Sequence, residues 1–518
     1  MSSGSPNGAD ALLRSLLASG TDVCFANPGT SEMHVVAALD RTPGMRAVPT
    51  LFEGVATGAA DGYARMTGRP AAALLHLGPG LGNGLANLHN ARRAGTPLVC
   101  VVGDHSTAHA PLDAPLQSDI DAVAGSVAGW VRRSTTPDAV GPDAADAVAA
   151  ALRGQVAVLV LPADASWGAG GREAPPVPGP GPAAPDGDAV RAAARALSGG
   201  EPAVLLVGGD ACGAAGLAAA DRVAAATGAR LLAETFPARM ARGAGVPRVG
   251  RLAYAADAAR HQLRGARHLV LAGARSPVAF FGRPDTGGDL VPDGCTVHVL
   301  AGRSGAADAL DDLADLLAPG TTAVPGPAER PELPTGPLTV ASAAAVVGAL
   351  LPEDAVVVDE SITSGAGLPA ATAGAPRHDW LTLTGGAIGY GSPAATGAAV
   401  ARPDRPVWCL QADGSAMYTV QALWTQAREG LDVTTVVYHN GAYAILRAEM
   451  AAVGATPGPA AAALFDLGRP RLDLVALAGG LGVPAERATT AEELTAALRR
   501  AAAEPGPHLV EAVVPPVA

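Results

Sequence analysis

The sequence predicts an α/β protein built as three doubly wound parallel-sheet domains. Two observations carry this reading. Short, continuously apolar runs such as PLVCVVGD, AVLLVGGD and VTTVVYHNG alternate with Ala-rich helical stretches along the chain. Uninterrupted apolar runs between helices are the pattern of strands covered on both faces. Two stretches rich in Pro and Gly then interrupt that pattern: GAGGREAPPVPGPGPAAPDGD (168–188) and PGTTAVPGPAERPELPTGP (319–337). Such residues disfavour helix and strand and suit linkers. The chain of 518 residues has room for roughly three domains. The division is a domain over 1–167, a linker over 168–188, a domain over 189–318, a linker over 319–337 and a domain over 338–518.

In the first domain PLVCVVGD and AVLVLP read as buried strands. In the second, AVLLVGGD, ARLLAE, HLVLAGA and TVHVLA do. In the third, DAVVVDES, PVWCLQADG and VTTVVYHNG do. Open parallel sheets bind ligands beyond the carboxyl ends of their strands, so the residues that close these runs are the candidates for a site.

Composition bounds the function. Charged residues are 16% of the chain and the net charge is -12, which excludes the basic face that a nucleic acid or an anionic membrane surface would need. All 36 basic residues are Arg. Without Lys there is no Schiff-base lysine, hence no covalent pyridoxal phosphate and no lysine-dependent aldolase. There is also no Walker A lysine. Aromatic residues are only 3%, so the cores rest on Ala, Val and Leu. Cys24, Cys100, Cys212, Cys295 and Cys409 form no CxxC pair. They read as small buried hydrophobes in a reducing compartment, neither a disulfide frame nor a zinc site. The N-terminal MSSGSPNGADALLRSLLASG lacks a basic region followed by a long apolar core. A soluble cytoplasmic protein is expected, with no membrane span.

One apolar run ends in Asp413-Gly414-Ser415. A second ends in His439-Asn440-Gly441, and the segment AMYTVQALW between them reads as a helix. Either dipeptide, DG or NG, is also an ordinary turn. On adjacent strand ends, however, the hard oxygen of Asp413 and the carboxamide oxygen of Asn440 can hold Mg2+, with the carbonyl of Ala442 as a further ligand. Gly414 and Ser415 open the helix, whose N-terminal N–H groups can hold a diphosphate.

This pair of motifs resembles the diphosphate- and metal-binding motif of the thiamine diphosphate (ThDP) enzymes, with Ala412 in place of its first Gly and His439 in place of its first Asn. The string FEGVATGAADGYARMTG resembles the glutamate segment of the acetolactate synthase and benzoylformate decarboxylase superfamily. The resemblance covers the whole chain and implies the order pyrimidine-binding, Rossmann-like middle, and diphosphate-binding. It makes Glu53 the catalytic carboxylate that meets the cofactor's aminopyrimidine. It places Ser361 and Thr363 (DESITSG) near the diphosphate. In GGAIGYG, Gly386 would meet the aminopyrimidine through its carbonyl and Ile388 would bend the cofactor. FANPGTSEMH resembles the NPG loop of benzoylformate decarboxylase, with Thr30 at the substrate carboxylate. LLHLGPGLGNG puts His76 at the place of an active-site His, with Asn83 just beyond. His105, His109 and Gln117 fall where family members line the substrate channel. ARSPVAFFGRPDTGG resembles the segment in which benzoylformate decarboxylase carries its second catalytic His; Gly282 stands at that position, with Phe280 and Phe281 before it as pocket or packing residues.

The resemblance implies ThDP and Mg2+ as cofactors. FAD, which the middle domain binds in some members, is not favoured. The implied partners are a small 2-oxo acid and further copies of the chain, as a homodimer or homotetramer with active sites at the subunit interface. The implied reaction is decarboxylation of the 2-oxo acid, with release of an aldehyde or carboligation to a second carbonyl. The alternatives are a 2-hydroxyacyl-CoA lyase and a catalytically silent ThDP-binding subunit. No GxGxxG fingerprint supports a nicotinamide-linked dehydrogenase.

Overall fold

The structure is a computed structural model that describes residues 6–181, 183–282 and 287–516. The first strands are β1 (Val23–Asn27), β2 (Arg46–Pro49), β3 (Ala71–Leu75), β4 (Leu98–Asp104), β5 (Trp130–Arg133) and β6 (Val156–Pro162). They form one parallel sheet in the order β2-β1-β3-β4-β6-β5. Next come β7 (Ala203–Val207), β8 (Arg230–Ala233), β9 (Arg239–Arg242), β10 (Gly250–Arg251), β11 (His268–Ala272) and β12 (Thr296–Ala301). All but β9 make a second parallel sheet, β10-β8-β7-β11-β12. The last strands are β13 (Val356–Glu360), β14 (His378–Thr382), β15 (Val407–Ala412), β16 (Val433–His439), β17 (Ala485–Ala488) and β18 (His508–Val513). The third sheet runs β17-β18-β16-β15-β13-β14-β9.

Most apolar runs read from sequence are inner strands of these sheets, and β3, β4, β6 and β7 are buried at every position. The run TVHVLA, expected to be buried, is instead the edge strand β12, exposed at Thr296, Val297 and Val299, because among the described residues no further strand pairs with that side. One feature departs from purely parallel sheets: β9 (RMAR) pairs antiparallel with β14, as an edge of the third sheet. The third sheet thus borrows an edge strand from the middle of the chain. The expected helix over AMYTVQALW is also broken. A short turn of helix covers Asp413–Ala416 and the next begins at Ala422. Between them Thr419 donates its hydroxyl to the carbonyl of Gly389 at 3.0 Å, a tertiary bond that competes with helix continuation.

The topological switch points position the site. In the first sheet the chain reverses between β1 and β3, and Gly29–Glu32 and His76 follow those strands. In the third it reverses between β13 and β15, followed by Ser361 and Asp413. The two ends are joined by helix on helix. Glu53–Thr67 crosses Gly391–Ala401 so closely that a Cβ on Gly62 would lie 2.1 Å from the carbonyl oxygen of Ala394, and one on Gly397 would lie 1.8 Å from that of Ala59. The buried Arg65 anchors the same helix. It pairs with Asp61 at 2.6 Å and donates to the carbonyls of Thr382, at 2.8 Å, and Ala238, at 3.2 Å. Among the described residues no helix is long and apolar enough to cross a membrane. Cys24, Cys100, Cys212 and Cys409 are buried, and all five thiols are free.

Buried His378 on β14 makes stability pH-dependent. Its Nδ1–H donates to the carbonyl of Pro376 at 2.8 Å, while Nε2 is buried without a partner. Burial pushes its pKa down from 6.5 to about 4. The unfolded chain therefore takes up this proton near 6.5 and the folded chain only near 4. Stability is full above the higher value and is lost as pH falls through that window, by about 3 kcal/mol from this group. Urea unfolding at neutral pH and at the lower end of the window is expected to show a larger loss for the wild type than for His378→Gln. Equal losses would refute the assignment.

Candidate active site

At the first sheet, β1 ends in Asn27 and the chain turns through Gly29 into a short 3-10 helix, Thr30–Glu32. Glu32 is buried and its carboxylate gathers several donors. It accepts the N–H of Gly29 at 2.7 Å, the hydroxyl of Ser31 at 2.7 Å and His76 Nδ1 at 2.9 Å. The Ser31 hydroxyl also lies 3.0 Å from His76 Nδ1. An ionised Glu32 fixes the hydrogen on Nδ1 and leaves Nε2 of His76 as the free nitrogen. The glycines make this possible. A Cβ on Gly103 would lie 1.7 Å from Glu32, and one on Gly29 2.3 Å from the His76 ring. His76 closes β3 and is followed by Leu77 at φ +51°, a left-handed non-glycine residue buried in the core. Such strain costs on the order of 1–3 kcal/mol and collects at functional sites.

Glu53 opens its helix from a buried position. Asn83 donates to its Oε2 at 3.0 Å. Its Oε1 has no hydrogen-bond partner among the described residues and faces Gly80, where a Cβ would sit 3.3 Å away. Gly80 would also place a Cβ 3.5 Å from that of His76, so Glu53 and His76 line one spot. Thr30 is exposed; it is its neighbour Ser31 that reaches His76. The rings of His105 and His109 lie 5.1 Å apart, tilted by 56°. His105 Nε2, Gln117 Oε1 and Ser118 Oγ are buried without partners, and such orphaned groups call for a ligand or water.

At the third sheet, Asp413 is buried at the end of β15. Its Oδ1 accepts the N–H of Gly414 at 2.8 Å and its Oδ2 that of Gly441 at 2.7 Å. Burial raises its pKa, and the N–H donors of Gly441 and Gly414 act against that. Asn440, beyond β16, accepts the N–H of Ala442 through Oδ1 at 2.9 Å. These oxygens keep lone pairs free, and hard neutral and anionic oxygens suit Mg2+ or a like ion. Ser361 is buried and donates to Asp359 Oδ1 at 2.5 Å. Thr363 lies half-buried in the 3-10 turn Ile362–Gly365, and Ile362 has φ +50°.

The turn Gly385–Gly391 is held from two sides. Glu360, fully buried at the end of β13, accepts the N–H groups of Gly389 at 2.7 Å, Tyr390 at 3.2 Å and Gly391 at 2.7 Å, and the Gln411 amide at 2.8 Å. Burial raises the pKa of this carboxyl, and the donors of Gly391, Gln411, Tyr390 and Gly389 oppose the rise. From the other side Asn90 binds the carbonyl of Ala387 at 2.8 Å. Asn87 bridges the carbonyls of Gly54, at 2.8 Å, and Gly389, at 3.1 Å. Gly386 has φ +73°, and a Cβ there would lie 2.3 Å from Phe280. Ile388 packs half-buried against the core. Phe280 meets Phe281 and Phe236 edge to face and Tyr254 at a tilt, an aromatic cluster set against the turn.

The family model described as "Thiamine pyrophosphate enzyme, N-terminal TPP binding domain" matches residues 6–124, and the corresponding C-terminal TPP binding domain matches 362–512. IlvX of Mycobacterium tuberculosis (strain ATCC 25618 / H37Rv), provisionally named an acetolactate synthase large subunit, is 65% identical, over 98% of this chain and 99% of its own. The chain belongs to the thiamine diphosphate enzymes. Benzoylformate decarboxylase of Pseudomonas aeruginosa is 30% identical over 95% of this chain and 96% of its own. The ThDP-dependent 4-hydroxybenzoylformate decarboxylase of Rhodococcus jostii RHA1 superposes with a TM-score of 0.85 at 26% identity, covering 98% of this chain and 99% of that one. This ThDP enzyme is therefore of the acetolactate synthase and benzoylformate decarboxylase type.

Sequence reasoning missed Ser31, Glu32, Ser118 and Glu360. Glu32 and Glu360 stand beside the quoted motifs, but an acid at a helix start or strand end reads as a cap or a surface charge. Only the packed structure shows them buried among donors. Glu32→Gln keeps the shape but loses the charge that fixes His76. It is expected to lower kcat by about 100-fold, the cost of a misplaced catalytic group, with ThDP binding unchanged by circular dichroism titration. An unchanged kcat would remove Glu32 from the site.

Proposed function

We propose that the protein binds ThDP with Mg2+ and decarboxylates a small 2-oxo acid, releasing the aldehyde. The observation that carries this reading is the unpartnered Oε1 of the buried residue Glu53, beside a His76 whose Nδ1 is held by Glu32. When bound, the cofactor supplies the electron sink for loss of carbon dioxide. Glu53 would hold a proton against the cofactor's aminopyrimidine, and the carbonyl of Gly386 would accept from the same ring. Ile388 would pack against the cofactor. Asp413, Asn440 and the Ala442 carbonyl would hold the metal, and Gly414, Ser415, Ser361 and Thr363 would hold the diphosphate. His76 accepts a proton at its free Nε2 and passes it on from there. Thr30, aided by Ser31, orients the substrate carboxylate, and Asn83, His105, His109, Gln117, Phe280 and Phe281 border the pocket.

Thr30, Asn83 and His109 are exposed in a single chain. This supports a homodimer or homotetramer in which a partner closes the site. The domain division 1–167, 189–318 and 338–518 then separates the pyrimidine, middle and diphosphate functions. Carboligation to a second carbonyl is the second reading, favoured by the name of the relative that is 65% identical.

Proton NMR of pyruvate and of benzoylformate with enzyme, ThDP and Mg2+, with and without an aldehyde acceptor, separates these readings. Free aldehyde without acceptor is the expected result; a coupled product with little aldehyde would favour carboligation. Glu53→Gln is expected to cut turnover by at least about 100-fold, in line with loss of a general acid-base group, while ThDP stays bound. Full activity in Glu53→Gln would overturn the mechanism.

A further inference from the structure

A cavity of about 300 Å3, lined by none of the motif residues described above, lies between β9, the loop that follows it and the short helix Leu368–Ala371. Its lining includes Arg242, Arg248 and Arg251 and no Asp or Glu. The remaining walls are small or apolar, among them Met240, Val246 and Pro247. Arg242 is anchored through Nη2 to the carbonyl of Pro369 at 2.6 Å and lies over the Trp380 ring at 5.1 Å. Its Nε is buried with no hydrogen-bond partner. Among the described residues, the guanidinium groups of Arg248 and Arg251 have no hydrogen-bonded or ion-paired partner. Burial and the like charges of Arg251 and Arg248 push Arg242 down to about 10, with Asp359 opposing.

Elsewhere in this chain many arginines have partners, either carboxylates, as for Arg65 with Asp61 and Arg405 with Asp379, or backbone carbonyls, as for Arg330 with Gly348 and Leu351. Around this cavity three arginines stand together with no carboxylate in the lining. Arg is the side chain that binds carboxylate and phosphate oxygens in a fixed fork, and this volume is at the small end of ligand pockets.

We propose that this cavity is a second ligand site, for a small organic dianion such as a phosphate ester or a dicarboxylate. Arg248 and Arg251 bind its charged oxygens and Arg242 Nε donates from the floor. The site touches the third sheet through β9 and lies against Leu368–Ala371, which follows the turn carrying Thr363. A bound anion would thus tie the middle of the chain to the segment next to the candidate diphosphate site.

The test is calorimetric titration of the holoenzyme, desalted after loading with ThDP and Mg2+, with inorganic phosphate and, separately, succinate. The wild type is expected to bind at least one of them. Phosphate alone would point to a phosphate ester, succinate alone to a dicarboxylate, and either supports the site. In Arg248→Gln/Arg251→Gln the dissociation constant is expected to rise at least about tenfold, the factor that ~1.4 kcal/mol represents, with activity unchanged. Ala370→Glu, which sets a carboxylate at the exposed rim, is expected to give the same loss and guards against a fold defect in the double variant. Failure of both anions to bind the wild type, or equal binding by all three proteins, would overturn the proposal.

Discussion

The crossing of the helices Glu53–Thr67 and Gly391–Ala401 is the contact on which the rest of the site depends. Gly58, Gly62 and Gly397 let the two backbones approach where any Cβ would collide with Pro393, with the Ala394 carbonyl and with the Ala59 carbonyl. Each helix begins at a chemical element. One starts with Glu53; the other starts where the turn Gly385–Gly391 ends. Fixing the helices against each other therefore fixes the acid relative to the turn. Asn87 repeats that link in hydrogen bonds, joining the carbonyl of Gly54 to that of Gly389. Interiors packed at this density tolerate little change in volume, so the register of two glycine-lined helices becomes the register of the site.

Strain and buried charge sit at the same places. Leu77 and Ile362 are two of the four non-glycine residues with positive φ among the described residues, and they directly follow His76 and Ser361. The backbone leaves its ordinary range where the chain exits β3 and β13 towards the site. Buried acids hold those exits in place. Glu360 binds three successive N–H groups of one turn, and Glu32 binds Gly29, Ser31 and His76. A buried carboxylate is costly without such donors, so each acid and its turn stabilise one another.

Much of this was legible in the sequence, and the failures have physical causes. Continuous Val, Leu and Ala runs located the central strands, because a strand covered on both faces has no polar side to confuse the pattern. Strand β9, RMAR, was not legible. An edge strand with three half-buried positions carries no apolar run, and its partner β14 is distant in sequence. The break after Ala416 was equally hidden, since it depends on Thr419 meeting Gly389. Asp413 and Asn440 could be found because motif and strand end coincide. Glu32 could not, because its role comes from Gly103 on another strand leaving room for it.

The two departures from the diphosphate motif fit the same logic. Ala412 ends β15 in extended backbone, a conformation open to any residue, so no glycine is needed there. His439 is larger than the Asn it replaces, and it is buried, so its ring nitrogens need partners. Glu511, on the neighbouring strand β18, takes Nδ1 at 2.6 Å, and Arg487 answers Glu511 at 2.9 Å. Nε2 then lies 3.9 Å from Asp413 Oδ2. A buried acid, its exposed arginine and the histidine form one row behind Asp413. The larger side chain at 439 is thus accommodated because Glu511 holds one ring nitrogen while the other stands behind Asp413.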